Sequence, residues 1–584
     1  MLIQKKRFRL EYVIFFIASI SYINFCNYII IELPHLSWFD QFAILNKYYN
    51  NDLHFLDLMS SYGEHGLFGY NVLFLVNALF FKLSTFFDVW INNINVLLVG
   101  LISIVSINKT FGVYKNKWYT LCLFGVSLFS FNLIQLSSGA METQVRLGLL
   151  FYVIVIYMMD RFFCTTNGIS YKYITACIIL IFVSLNVFGT LYSFAGIPVI
   201  FLLLISKLIK KINFKKSCLI GLTYLFSIIL YFLQYRLIGK GGMQSGTIGS
   251  TIINLICHPL QIFKGLLAYN ANSILGFPVY VDKVISDSSY LWVGLIVTIV
   301  ICYSIIRCIK SGLNKKTKLP ILFIGYSLFV FLMTIIGRPS DDWGWYVNEW
   351  YTVHTKLQII ACVWILSYDN LVNKRRFKAI NSVGVLFLIV GILYGNVVQI
   401  RRAPYVREYY LDKQPYLFVE NMNQLPVDDS GLTPLLHTPE MTMNAIEIMK
   451  EHNLSVYRYY EPYAKMQKIL GKDVSSTTNL ILKSGFFEDG WIGKSAEFDI
   501  KTGNEGRLIL TCYFPKELTG KEKGVIYTND VPTEYVINQQ SFIIEVQAPA
   551  QSLIAVKILN DFYFQAEAPD VRELSFIITD ISIK

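Results

Sequence analysis

Charge is what this chain has least of. Asp, Glu, Lys and Arg make up 16% of its 584 residues, where an average soluble domain carries about 25%. So little charge cannot cover the surface of an aqueous particle of this length, which excludes a wholly soluble protein. Cysteine pairing is absent too. Of ten cysteines nearly all lie in or beside apolar runs, no two form a C-x-x-C pair, and only Cys512 falls in the polar C-terminal part. That part therefore has no internal disulfide, which fits an exported domain on a bacterial outer surface, and a thiol nucleophile has no support. Walker A, Rossmann glycine and G-x-S-x-G patterns are missing as well. Their absence disfavours an ATP-driven transporter and a serine hydrolase. No internal repeat is apparent.

What is present is apolar. Hydrophobic residues make up 54% of the chain, mean hydropathy is +0.47, and runs of about 20 apolar residues recur from Tyr12 to Ile400. The pattern predicts spans near 12–33, 67–87, 91–107, 118–136, 145–159, 173–206, 218–238, 289–306, 319–337, 355–370 and 380–400. Lys5, Lys6, Arg7 and Arg9 resemble the basic region of a signal peptide. The run after them ends in Glu32-Leu33-Pro34 without a small-residue cleavage site, so it reads as an uncleaved span.

The formal net charge of +11 would suggest nucleic acid in a soluble protein. Here the basic residues sit in short runs between spans, such as Lys207/Lys210/Lys211/Lys215/Lys216, Lys310/Lys315/Lys316/Lys318 and Lys374/Arg375/Arg376/Lys378. That arrangement is positive-inside orientation, so no nucleic-acid partner is expected. Loops 34–66, 239–288 and 338–354 and everything after 401 are then outside. Two paths satisfy the earlier part. Either 173–206 is one long helix broken around Gly189 and Gly196-Ile197-Pro198, which leaves Lys109, Lys115 and Lys117 outside, or it is two short spans and one segment within 67–107 does not cross. The single broken helix is the reading adopted.

Beyond residue 400 the character changes. Residues 401–484 form a juxtamembrane mixed, partly helical region: Arg401, Arg402, Tyr405 and Arg407 are interfacial anchors. Thr438-Pro439-Glu440 reads as an N-cap, an N1 proline and an early acid of a helix over 439–452. From 485 the apolar period falls to two. Strand-like runs at 496–502, 507–514, 523–530, 533–538, 540–548, 552–559 and 573–583 predict an all-β sandwich over 485–584. The fold class expected is an α-helical polytopic membrane protein of about 11 transmembrane helices, in residues 1–400, followed by this soluble sandwich.

Candidate chemistry centres on the first outer loop, where Asp40, Asp52, Asp57 and Glu64 crowd together. Asp40 follows Trp38-Phe39 as the chain leaves the first span. A carboxylate among aromatics can take a proton from an acceptor hydroxyl, or can simply cap a helix. Asp52 and Asp57 flank His54 and read as caps. Glu64 and His65, between glycines, can hold a phosphate oxygen or, with Asp40, a divalent metal ion, and also suit a local hydrogen bond. Polar residues at span ends, Asn132, Gln135, Glu142, Gln144 and Arg146, cluster around Ser137-Ser138-Gly139-Ala140, and of these Gln135 and Gln144 are possible substrate contacts. Arg338 can grip a lipid phosphate bidentately or snorkel to headgroups, and Trp343 can stack on a sugar or belong to an aromatic belt.

This layout of first span, acidic outer loop, many further spans and C-terminal outer domain resembles the bacterial GT-C superfamily of polytopic membrane glycosyltransferases. Asp40 occupies the place of that family's catalytic base, and Gly63-Glu64-His65-Gly66 looks like its histidine-bearing segment. A set of uncharacterised multi-span bacterial proteins is similar in Asp40, Glu64-His65, Phe129-Ser130, Gln135, Gly139, Gln144 and Gly337-Arg338. Gly485-Phe486-Phe487-Glu488-Asp489-Gly490-Trp491 and Asp570-Val571-Arg572-Glu573-Leu574-Ser575-Phe576 look like an outer sandwich found beside glycosyltransferase modules. The resemblance implies an inverting transfer of a sugar from a polyprenyl phosphate to a cell-envelope glycan or glycolipid at the outer face of the plasma membrane. Its partners would be a lipid-linked donor, a glycan acceptor and membrane lipids. A flippase of lipid-linked glycans and a membrane-anchored glycan-binding protein are the alternatives.

Overall fold

The computed structural model describes residues 16, 19–20, 41–58, 61–62, 65–66, 68–111, 125, 140–164, 171–188, 214–238, 257–276, 285–337, 343, 353–372, 377–417, 419, 422–428, 431–435, 438–452, 454–455, 480–487, 490–515, 518, 522–550, 552–565 and 572–583. The chain divides into two compact units. One comprises Met1–Glu32, Leu53–Asn77 and Thr85–Pro404; the other comprises Leu33–Asp52, Ala78–Ser84 and Tyr405–Lys584.

Helix α1 is Gln41–Tyr49, α2 Phe68–Phe81, α3 Thr85–Phe111, α4 Ala140–Cys164, α5 Tyr171–Phe188 and α6 Phe214–Ile238. They are followed by α7 Pro259–Leu275, α8 Asp287–Lys310, α9 Leu319–Gly337, α10 Thr355–Val372 and α11 Lys378–Lys413. Among the described residues five helices contain stretches long and apolar enough to cross a membrane: Phe86–Phe111, Arg146–Cys164, Phe214–Tyr231, Asp287–Lys310 and Lys378–Val398. All but Arg146–Cys164 turn large apolar side chains outward. On α3 these are Phe86, Trp90, Ile94, Leu98 and Leu101; on α11 they are Ile380, Val383, Leu386, Val390, Leu393 and Val397. Such stripes at helical spacing would be a liability in water and are the natural lining against hydrocarbon. The chain is a multi-pass membrane protein.

In lipid the hydrophobic effect does not drive helices together, so close backbone approach and hydrogen bonds must do so. Helix α7 uses both, although sequence patterning places it within the loop 239–288. A Cβ on Gly294 of α8 would fall 1.9 Å from the Leu267 carbonyl oxygen, and one on Gly395 of α11 would fall 2.4 Å from that of Ile274. Gly294→Ala is therefore expected to lower stability by ~1–3 kcal/mol, the range for overpacking. Thermal unfolding of the detergent-solubilised protein checks it, and an unchanged midpoint would contradict the close packing. Helix α10 is enclosed over most of its length, every residue from Thr355 to Asn370 being buried.

Contacts gather the basic ends of these helices in one place. Lys109 of α3 donates to the Tyr157 hydroxyl of α4 at 3.2 Å, and Phe111 lies edge-on to Tyr368 of α10. Lys316 sits over the Tyr368 ring at 5.2 Å, while Cys164 of α4 reaches the Lys316 carbonyl. Lys216 of α6 donates to the Phe162 carbonyl at 3.1 Å. Asp160 caps the start of α9, accepting from the Thr317 hydroxyl at 3.0 Å and from the Lys318 amide. The exposed cations here include Lys109, Arg161, Lys215, Lys310, Lys315 and Lys316. Lys109 thus shares an end with the later basic loops, contrary to the single-broken-helix path. Helix α5 ends at Phe188, and α6 begins again among the basic residues.

In the second unit, α12 (Pro439–Glu451) starts as its sequence predicts, with the Thr438 hydroxyl accepting from the Met441 amide. The C-terminal region is all β, with strands β1 Leu480–Phe486, β2 Ile492–Lys501, β3 Arg507–Tyr513, β4 Lys523–Thr528, β5 Val531–Val536, β6 Ser541–Gln547, β7 Leu553–Asn560 and β8 Ile577–Ile583. They form antiparallel sheets of order β1-β2-β7-β4-β5 and β8-β3-β6. Alternation is strict in β6, where Phe542, Ile544 and Val546 face in and Ile543 and Glu545 face out. The Phe576 ring meets both Tyr535 of the first sheet and Phe542 of the second, so the sheets share a core. Arg507 and Glu545 pair across β3 and β6 on the outer face.

Candidate functional site

Of the expected site residues, Asp40, Glu64, Gln135 and Arg338 lie outside the described residues. His65 pairs with Tyr62 through the backbone in a two-residue hairpin, and its strand Ser61–Tyr62/His65–Gly66 packs beside α5. Gln144 falls in the first turns of α4, two positions before Arg146, and Trp343 is half-buried. Among the described residues no three His, Cys, Asp or Glu side chains gather as a metal would require.

The segment that follows Asp40 is well anchored. Helix α1 starts at Gln41 and packs on α12, with Asn46 Nδ2 donating to the Met441 carbonyl at 3.4 Å. Tyr49 lies on the His452 ring at 4.1 Å between centroids, and burial there raises its phenol above the ordinary range. Ile44 and Leu45 are buried, as are Thr442, Ala445, Ile446 and Met449 of α12. The turn after α2 joins them: Ser455 N donates to the Lys82 carbonyl at 2.8 Å. Lys82, Leu83 and Ser455 all have φ between +52° and +58°. Left-handed backbone at residues with side chains costs roughly 1–3 kcal/mol each unless the surroundings impose it. Here the bond between Ser455 and Lys82 holds two of the three in place. Pieces of the first loop, of the α2–α3 turn and of the C-terminal region are therefore one assembly.

A second polar assembly lies inside the helical unit. The Lys356 ammonium, 4% exposed, donates to the Ser273 carbonyl at 2.7 Å and the Asn272 carbonyl at 3.4 Å. It thereby caps the C-terminal end of α7 where the helix dipole is negative. Gln358 Nε2 donates to Asn270 Oδ1 at 3.0 Å, and Asn270 Nδ2 donates to Thr298 at 2.9 Å. The Tyr326 hydroxyl and His354 Nδ1 are 2.8 Å apart, and Tyr152 stacks on Tyr326 at 4.5 Å. These groups are polar and internal, held in three separate sets of contacts, and buried polar groups in a membrane protein mark places where function outweighs the cost of burial. Sequence reading missed them. Lys356, His354 and Gln358 register there only as a lower hydropathy in the span 355–370, which reads as a weaker membrane crossing.

The eight described cysteines are free, and burial pushes the Cys512 thiol well up from its ordinary value, so it stays protonated and inert. No protein-family model, no curated protein and no solved structure matches this chain.

Proposed function

We propose that the chain is a multi-pass membrane glycosyltransferase that moves a sugar from a polyprenyl-phosphate donor to a cell-envelope glycan or glycolipid at the outer membrane face. The observation that carries this reading is the inclusion of the acid-bearing segment Leu33–Asp52 in one compact unit with Ala78–Ser84 and Tyr405–Lys584. An enzyme of this kind needs its base held beside an acceptor-binding domain and a membrane unit to admit the lipid. Asp40 is the base that takes the acceptor's proton, and Glu64, His65 and Arg338 steady the departing phosphate or a metal ion. Gln135, Gln144 and Trp343 contact the sugar, and the C-terminal sheets form a sandwich that holds the acceptor.

Topology follows the same logic. The basic end is placed inside and Asp40 outside. Helix α3 then crosses to the basic end at Lys109. The reading is tested by reconstituting the full chain in vesicles with polyprenyl-phosphate sugars and isolated envelope glycans. Sugar transfer with inversion is expected; no transfer with any donor would defeat it.

One observation favours a second reading, a transporter of lipid-linked glycans. Lys356, His354 and Gln358 lie deep in the helix bundle, where a translocation path would need them. Movement of a fluorescent polyprenyl-linked glycan across vesicles without covalent transfer would select it.

A further inference from the structure

The edges of the C-terminal sheets are not alike. An open edge offers unpaired N–H and C=O groups to any extended chain, and folded proteins blunt it with proline, lysine, bulges or cover. Strand β5, at one edge of the larger sheet, carries Pro532. At the opposite edge the ladder of β1 shifts register between Leu482 and Ser484 and again before Phe486. In the smaller sheet β8 is bulged at Thr579, and its other side is met at Ile577 by Trp491 and at Ile578 by the Gly490 carbonyl, 3.1 Å from the amide it accepts from. Strand β6 has none of these devices. Ser541–Gln547 pairs with β3 in unbroken register and contains neither proline nor lysine. Its one charge, Glu545, is matched by Arg507.

The ladder also shows which backbone groups are left over. Phe514 N donates to the Gln540 carbonyl at 2.7 Å, and Ala548 N donates to the Gly506 carbonyl at 2.8 Å. Both bonds join residues that lie directly opposite in the register of β3 and β6. Bonded positions alternate along an antiparallel pair, so Phe542, Ile544 and Val546 direct their groups to β3. Ser541, Ile543, Glu545 and Gln547 turn theirs to the open edge, where nothing among the described residues pairs with them. The same four side chains lie on the outer face, with Ile543 64% exposed.

We propose that β6 is a self-association edge, pairing antiparallel with β6 of a second copy about a twofold axis at Ile544. Only an extended strand satisfies such a row of alternating donors and acceptors. A second copy supplies one whose open groups fall on the same alternate residues, as an interface shared by identical surfaces requires. Centring the axis on Ile544 uses the whole strand. Ile543 then faces the second copy's Glu545, and Ser541 faces its Gln547, so no like charges are opposed. On the inner face Phe542 meets Val546 and Ile544 meets Ile544, which joins the two small sheets into one with a continuous core. The apolar spans hold both copies in one bilayer, which raises their effective concentration. The glycosyl-transfer reading does not require this contact, and the contact does not require that reading.

The test uses the full chain with its native cysteines replaced, co-reconstituted in phosphatidylcholine vesicles. Copies carrying Ile543→Cys and copies carrying Glu545→Cys, with tags of different size, are mixed and oxidised. Facing residues of a bonded pair lie about 5.5 Å apart at Cα, within disulfide reach. The mixed dimer is therefore expected to form at least tenfold faster than dimers of either variant alone. Native mass spectrometry in detergent reads the untrapped chain, and a dimer is expected. Ile543→Pro removes an edge amide without touching the β3 ladder and should weaken the dimer tenfold or more. Ile543→Thr keeps the amide and should weaken it less than threefold. A wild-type chain that is monomeric and does not cross-link would overturn the proposal, as would a dimer unaffected by Ile543→Pro. Equal loss in the Thr and Pro variants would also overturn it, because an apolar face rather than the strand edge would then join the copies. Cross-linking of Ile543→Cys alone as fast as the mixture would overturn the axis at Ile544. If Ile543→Pro does not fold, Ser541→Pro decides, since proline is tolerated at a strand's first residue.

Discussion

Replacing Asp40 by Asn is expected to lower sugar transfer by roughly 10²–10⁴-fold, the usual contribution of a positioned general base. The acceptor hydroxyl is a poor nucleophile while it keeps its proton, and an amide cannot remove that proton. The substitution preserves shape, so expression and folding should match wild type. Binding of polyprenyl phosphate should also survive, which separates loss of chemistry from loss of the donor. Asp52→Asn serves as the comparison, since Asp52 lies exposed in the same loop and is expected to retain near-full activity. Full activity in Asp40→Asn would remove the proposed mechanism.

The second large effect concerns stability. Asp369→Ala is expected to destabilise the helical unit by ~3–5 kcal/mol, the cost of leaving one partner of a buried ion pair behind. Arg307 Nε donates to Asp369 Oδ2 at 2.8 Å, and Nη2 donates to Oδ1 at 2.9 Å. Asn381 donates to the same carboxylate at 2.7 Å and accepts from the Tyr303 hydroxyl at 2.9 Å. The guanidinium lies 4.1 Å from the Phe377 ring centroid, and its ion-pair partner is wholly buried. These contacts tie α8, α10 and α11 together at the basic end. Without the carboxylate, a buried cation keeps its desolvation cost and loses its counter-charge. The double change Arg307→Met with Asp369→Leu should recover most of the stability, because a buried pair often does no better than apolar residues of similar size. Thermal unfolding in detergent reads both variants. A single mutant as stable as wild type would show that the pair contributes nothing.

The two units were not equally legible. In the C-terminal region, turn residues such as Thr528-Asn529-Asp530 break the period-two runs, and the strands fall close to where alternation puts them. β6 is the clearest case, because one face is core and the other is solvent. The cap Thr438-Pro439-Glu440 likewise marks the start of α12 to the residue. Within the membrane the same logic loses its contrast, since lipid and helix neighbours are both apolar. Helix α7 reads as loop because Lys264, Asn270, Asn272 and Ser273 lower its hydropathy, although its second half is the most enclosed part of the helix. Helix α10 reads as an ordinary span, whereas Lys356 and Asp369 are accommodated only because no face of it is open.

Topology was ambiguous for a related reason. Short apolar runs do not say whether they cross, so the path through 67–107 and 173–206 rested on counting spans. Lys109 beside Tyr157, and Lys316 over Tyr368, replace that count with a geometric link between helix ends.

Cysteine substitution at Lys47, Lys523 and Lys316, in a chain with its native cysteines replaced, tests the account most directly. With an impermeant maleimide on intact cells, positions 47 and 523 should react and position 316 should react only after the membrane is opened. Reaction at 316 together with 47, or protection of 47 while 523 reacts, would contradict the shared outer face on which the catalytic proposal depends.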